Sequence, residues 1–307
     1  MNMMAESFAY PAGSDAARDL RNESDYNVQR RHPERTEIYA GYARRSEALR
    51  ADVPWQSLRY AKPERCTLDW FPAQEAKDAP LLVFMHGGFW RGGDKRVFSF
   101  IAENLRTAGV SSAFVGYELA PNVTVTTISA QIRAAVTFLL RNQRALGFDP
   151  ERVTLSGHSA GAHLAAMTSA YPQELPILGR HLRVIGLSGV YQLAPLLATS
   201  LKGEIQLTSD VAEEQSLPEG RWLHASRYLV VAGGGETPGF LAQSTHFHDA
   251  LQHRGLNTTL ILEPGRTHFD IFVPLTEPAY ALHQQVLDVI KGPAGAAPSN
   301  AAGPVAA

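Results

Sequence analysis

Cysteine is nearly absent from the sequence: Cys66 stands alone among 307 residues, so no disulfide can form within the chain. An excess of charge of either sign is missing too. The 28 lysines and arginines are balanced by 30 aspartates and glutamates, a formal charge of −2, which gives neither nucleic acid nor an anionic membrane a footing as partner. No apolar run approaches the roughly 20 residues that span a bilayer, and the longest are strand-sized pieces such as Leu81–Met85. Met1–Tyr10 lacks the basic segment, apolar core and small-residue cleavage site of an export signal, so the expected location is cytoplasmic. Apolar residues nevertheless make up 45% of the chain, enough to bury a large core.

Residues up to about Arg50 interleave Arg30, Arg31, Arg35, Arg44, Arg45 and Arg50 with Ile38, Tyr39, Tyr42 and Leu49, the pattern of a surface helix with a solvated basic face. Residues 1–60 are therefore expected as a helical extension packed on the main domain, which runs from 61 to 291. Within that domain short apolar runs alternate with amphipathic stretches, the signature of a mainly parallel, doubly wound α/β sheet flanked by helices. Strands are predicted at Cys66–Phe71, Leu81–Met85, Ser112–Gly116, Val153–Ser156, Val184–Leu187, Tyr228–Val231 and Thr259–Leu262. Helices are predicted at Arg96–Ala108, Ser129–Leu146, Ala160–Ala170, Phe240–Arg254 and Tyr280–Ile290. The alternation lapses over 191–226, which reads equally as a small lid or as a long connection with short helices. The Gly-, Ala- and Pro-rich tail, 292–307, has little to bury and is expected to be disordered.

The predicted strand Val153–Ser156 runs into Gly157-His158-Ser159-Ala160-Gly161, and a helix follows at once. A Gly-x-Ser-x-Gly turn between strand and helix is the geometry of a nucleophile elbow, in which small residues must flank a raised serine. Ser159 is the candidate nucleophile. A serine hydroxyl needs a base to take its proton and an acid to orient that base. His268 lies just after the last predicted strand, where parallel sheets assemble their sites. Glu236 leaves the glycine-rich turn after Tyr228–Val231 and is the candidate acid, against a competing role at the start of a helix, with Asp270 as rival and Asp210 as a remote third choice. Amides of Gly87, Gly88 and Phe89, in the loop after Leu81–Met85, together with that of Ala160, are the candidate donors to the developing oxyanion. His86 reads as a structural hydrogen-bonding residue. His246, His248 and His253 fall on one predicted helix; a metal site there lacks a completing carboxylate pattern, so no metal is expected. Trp90, Tyr117, His158, Tyr191, Trp222, Phe240 and Phe269 are candidate pocket residues, each equally readable as core.

His86-Gly87-Gly88-Phe89-Trp90, Gly157-His158-Ser159-Ala160-Gly161-Ala162-His163-Leu164 and Glu236-Thr237-Pro238-Gly239-Phe240 with Gln243-Ser244 together resemble the kynurenine formamidase group of α/β hydrolases. Tyr117-Glu118-Leu119-Ala120-Pro121 is similar to that group and to the related hormone-sensitive-lipase-like esterases. The likeness runs from roughly Tyr26 to Ile290. In the formamidases the acid is commonly an aspartate in Asp-Ser-Pro-x-Phe, and Glu236 stands in its place here. The resemblance implies an α/β-hydrolase fold and cofactor-free cleavage of N-formylkynurenine or another small aryl amide or ester through an acyl-enzyme. A carboxylesterase on short-chain or aryl esters is the alternative, and a non-catalytic binding protein the remote one. A homodimer is compatible with either enzyme.

Overall fold

The computed structural model describes residues 15–75, 77–171, 175, 181–217 and 223–292. Eight strands form one sheet: β1 (Gln56–Arg59), β2 (Thr67–Phe71), β3 (Ala79–Met85), β4 (Ser111–Val115), β5 (Phe148–His158), β6 (Arg183–Leu187), β7 (Arg227–Gly233) and β8 (Thr258–Glu263), in spatial order β1-β2-β4-β3-β5-β6-β7-β8. From β4 to β8 all neighbours are parallel, while β1 and β2 add an antiparallel edge. The doubly wound α/β architecture expected from the sequence is therefore present. Its cause is visible in β3, where every residue is buried: Leu81, Val83 and Met85 enter one core and Leu82 and Phe84 the other, one on each face of the sheet.

The helices are α1 (Asp15–Tyr26), α2 (Arg35–Asp52), α3 (Ala102–Thr107), α4 (Val125–Arg141), α5 (Gln143–Leu146), α6 (Ala160–Thr168), α7 (Leu201–Glu204), α8 (Ser209–Glu214), α9 (Pro238–His253), α10 (Phe272–Thr276) and α11 (Ala281–Lys291). Two depart from the sequence reading. The helix expected at Arg96–Ala108 is a 3-10 helix over Lys95–Ile101, capped by the Asp94 side chain, followed by α3. The helix expected from Ser129 begins earlier, because the Thr124 hydroxyl accepts from Thr127 N at 3.2 Å and caps it. Strand β1 was not anticipated: Gln56-Ser57-Leu58-Arg59 is mostly exposed and has no apolar alternation to announce it.

The N-terminal segment also differs from a helix with a solvated basic face. Arg44 is exposed, but the Arg50 side chain is only 7% exposed and bonds both the Asp69 carboxylate and Ser99 Oγ. Lys95 Nζ reaches the other oxygen of Asp69 at 2.5 Å, so one carboxylate buried in β2 ties α2 to the 3-10 helix. Tyr42 stacks on Phe100 with centroids 4.6 Å apart, and Ser46 Oγ donates to Val97 O at 2.8 Å. Basic residues on a helix cannot reveal from sequence that one of them turns inward to meet a buried acid.

The described part of 191–226 holds a 3-10 helix (Ala194–Ala198), α7 and α8, and buries Leu193, Leu196, Leu201, Ile205 and Leu217. The Gln243 side chain accepts from Tyr191 N at 2.9 Å and Gln192 N at 2.8 Å, and Leu217 N returns to Tyr191 O at 2.7 Å. Residues 218–222, with Trp222, and the tail from 293 onward lie outside the described residues. None of the described helices is long and apolar enough to cross a membrane.

Candidate active site

Five loops meet at the carboxyl edge of the parallel strands, where α/β sheets assemble their sites. The one after β5 carries Ser159, held at φ 55° and ψ −119°, in a region that a residue with a Cβ rarely enters. The surroundings enforce it. A Cβ on Gly161 would run into the Met85 carbonyl, and one on Gly157 into the backbone of Gly161, so strand and helix approach closely only because both are glycine. Ser159 N donates to Leu187 O at 2.8 Å, and α6 starts at the next residue, Ala160.

His268 and Glu236 arrive from the loops after β8 and β7. The ring Nδ1 of His268 lies 3.0 Å from Glu236 Oε2, and both side chains are almost fully buried. Oε1 of Glu236 accepts from Ser188 Oγ at 2.6 Å and from Gly233 N at 2.7 Å. A carboxylate oxygen only accepts, so the contact with Oε2 asks Nδ1 of His268 to carry a proton, which leaves Nε2 as an acceptor. Phe240 and Phe269 flank the His268 ring at centroid distances of 4.3 and 5.3 Å. His158 lies beside it and donates from Nε2 to His268 O at 2.8 Å. Burial first, and the neighbouring His268 second, hold the pKa of His158 well below the usual imidazole value, so His158 fixes the loop as a neutral ring.

The rival acids lie elsewhere. Asp270 closes its own loop, its Oδ1 accepting from Thr267 N at 2.6 Å and Thr267 Oγ1 at 2.8 Å, and Asp210 is exposed on α8. His248 bonds Thr258 Oγ1 at 3.0 Å, and among the described residues no three His, Cys, Asp or Glu side chains gather in a group that could hold a metal ion.

The loop after β3 lies against the serine. Gly88, Phe89 and Trp90 have φ of 121°, 46° and 56°, a tight left-handed turn that brings Arg91 N and Gly92 N each to 3.1 Å from Gly88 O. A Cβ on Gly87 would stand 3.1 Å from Ser159 Cβ and 2.8 Å from His158 O, so only glycine permits this approach. His86 is the loop's anchor: fully buried, stacked on Tyr117 with centroids 4.3 Å apart, with its carbonyl accepting from Tyr117 Oη at 2.6 Å. Desolvation pushes its pKa down to about 4, and that of His163, which donates to Gln215 O, likewise to about 4.

These loops line a cavity of about 340 Å³ that takes in Ser159, His158, His268, Phe269 and Gly87 to Phe89. That volume suits a small organic molecule. Of the other candidate pocket residues, Trp90, Tyr117, Tyr191 and Phe240 are wholly buried and pack against His163, His86, Phe247 and His268 respectively, so they belong to the core behind the site. The outer wall instead comes from Val28, Gln29, Tyr39, Val97 and Phe98. Tyr39 meets Phe269 edge-on at 5.8 Å and Phe98 at 6.1 Å. Sequence reasoning missed these residues and Ser188. The only signal for Ser188 was its place one residue beyond a buried strand.

Comparison with known proteins points the same way. Residues 68–188 match the BD-FAE family model. The chain is 32% identical over 246 residues to a kynurenine formamidase of Salmo salar, a match covering 76% of this chain and 81% of that one. It is 27% identical over 262 residues to an isoprenylcysteine alpha-carbonyl methylesterase of Arabidopsis thaliana, covering 76% and 61%. Among solved structures, a candidate thioesterase from Silicibacter sp. TM1040 superposes with a TM-score of 0.75 at 28% identity, covering 87% of this chain and 98% of that one.

Proposed function

Because the chain belongs to the kynurenine formamidase family of α/β hydrolases and is a serine hydrolase of amide or ester bonds, we propose that Ser159, His268 and Glu236 are its catalytic triad. The observation that carries this reading is the buried His268–Glu236 pair, 3.0 Å apart, whose His268 lines one cavity with a serine held in the strained elbow conformation. Ser159 Oγ attacks the carbonyl carbon while its proton passes to Nε2 of His268. Glu236 stabilises the imidazolium that forms, and Ser188 and Gly233 keep that carboxylate aimed. The carbonyl oxygen, now an anion, takes hydrogen bonds from backbone N–H groups of the 87–89 loop and of Ala160. The imidazolium returns its proton to the departing amine or alcohol as the tetrahedral carbon collapses to an acyl-Ser159 ester. A water molecule, deprotonated by His268, then cleaves the ester and releases the acid.

The family, and the rings of Phe89, Phe98, Phe269 and Tyr39 around the cavity, favour a small aryl formamide of the N-formylkynurenine type as substrate. Carboxylic esters are the second reading, supported by the methylesterase relatives. Specificity constants for N-formylkynurenine and for short-chain aryl esters separate the two. A thousandfold preference for the formamide, about 4 kcal/mol in transition-state binding, supports the first reading, and the reverse preference replaces it with the second.

A further inference from the structure

Next to the reaction cavity is another, of about 410 Å³, whose walls include Gln29, Arg30, Arg35, Arg91 and Glu204. Gln29 and Arg91 line both, so the two spaces meet at those side chains. Three guanidinium groups face one carboxylate in this outer space, a lining suited to an anion. Two of the three are engaged inside the chain: Arg35 Nη1 donates to Gln29 O at 2.5 Å and His32 O at 3.0 Å, and Arg30 stands 3.5 Å from Glu23. Arg91 is different. Its Nη1 lies 2.5 Å from Glu204 Oε2, but its Nε is buried and finds no hydrogen-bond partner among the described residues.

A buried donor without an acceptor is unfavourable and uncommon, and an arginine fork accepts a carboxylate with two parallel N–H bonds. Glu204 occupies one end of the Arg91 guanidinium only. The two side chains are 30% and 40% exposed, so water screens their attraction and a second carboxylate can compete for the guanidinium. The position of Arg91 gives that competition a purpose. It follows Trp90 directly, and its N–H bonds Gly88 O at 3.1 Å, so the guanidinium is built on the same turn that lies against Ser159. An anion held by Arg91 is thereby fixed relative to a carbonyl at Ser159, with the rings of Tyr39 and Phe98 in the cavity between.

We propose that Arg91 determines specificity by binding a carboxylate of the substrate, with Glu204 holding the guanidinium until the substrate arrives. The substrate class is then an aryl amide or ester that carries an anionic side chain. This inference rests on the hydrolase reading of Ser159, and its test is arranged so that the two fail separately. Hydrocinnamate and its uncharged counterpart hydrocinnamamide are compared as competitive inhibitors of phenyl acetate hydrolysis by the full chain, and their binding is measured in parallel by calorimetry. The carboxylate binds about tenfold tighter than the carboxamide, a difference of about 1.4 kcal/mol, and Arg91→Gln brings the ratio to within about twofold. Glu204→Gln, which frees the guanidinium, tightens hydrocinnamate several-fold. Equal weakening of both competitors by Arg91→Gln, or no gain from Glu204→Gln, identifies the pair as a tie between the loop and α7 and overturns the proposal. Hydrolysis that persists in Ser159→Ala overturns the catalytic reading instead, and the calorimetric ratio still decides the role of Arg91.

Discussion

The two walls of the cavity at Ser159 are built by different means. The inner wall, with Ser159, His268 and Gly87 to Phe89, consists of loops at the carboxyl ends of parallel strands of one sheet, and its backbone takes left-handed φ values at Phe89 and Ser159, where it lines the cavity. The outer wall, with Val28, Gln29, Tyr39, Val97 and Phe98, is brought from the N-terminal segment and the 3-10 helix, and is held by aromatic packing and the Arg50–Asp69–Lys95 cluster. Covalent chemistry needs reacting groups fixed to within fractions of an ångström, which the sheet supplies. Recognition tolerates a wall brought from a different part of the chain, which can vary while the chemistry stays fixed. Changes to the inner wall should therefore act on kcat, and changes to the outer wall on KM or on stability.

The largest effect that would sharpen this contrast is expected from Glu236→Gln. The amide keeps the shape of the acid but loses its charge and disturbs the tautomer of His268, so kcat falls by about a thousandfold or more while KM and the melting temperature change little. Steady-state kinetics with thermal unfolding check both halves, and a loss confined to KM would break the assignment of Glu236 to the chemistry. Next comes Asp69→Ala, which leaves Arg50 and Lys95 facing one another without their shared carboxylate. Denaturant unfolding should show a loss of about 3–5 kcal/mol. A change below about 1 kcal/mol would mean that the cluster does not hold the outer wall. The smallest is Tyr39→Ala, expected to raise KM for aryl substrates about tenfold with kcat within about threefold, since it removes a ring contact and no reacting group. A kcat loss as large as that of Glu236→Gln would erase the distinction between the walls.

The same division explains what could be read from the sequence. The parallel sheet was legible because strands covered on both faces, such as Leu81–Met85, are continuously apolar, and the serine turn because Gly157-His158-Ser159-Ala160-Gly161 is one unbroken stretch between a strand and a helix. The positions of Glu236 and His268 follow from strand ends, so sequence order alone pointed to them. The outer wall had no such local signature. Tyr39 and Phe98 are brought together by α2 docking on the 3-10 helix, beside a buried ion cluster whose members, Arg50, Asp69 and Lys95, come from three separate stretches of the chain. Aromatic residues beside the motifs were ambiguous for a related reason: Tyr117, Tyr191 and Phe240 carry the same apolar rings whether they line a cavity or pack in the core behind it, as they do here. Arg50 shows the converse, a charge that looked solvated and is buried because its partner lies in a strand.

The most direct test of the account is covalent labelling with a fluorophosphonate probe, followed by intact-mass measurement and peptide mapping. The account predicts one equivalent of label on Ser159, abolished in Ser159→Ala together with hydrolysis, and slowed in Glu236→Gln. Label on another residue, or a Ser159→Ala protein that keeps the full rate on aryl esters and formamides, would contradict it.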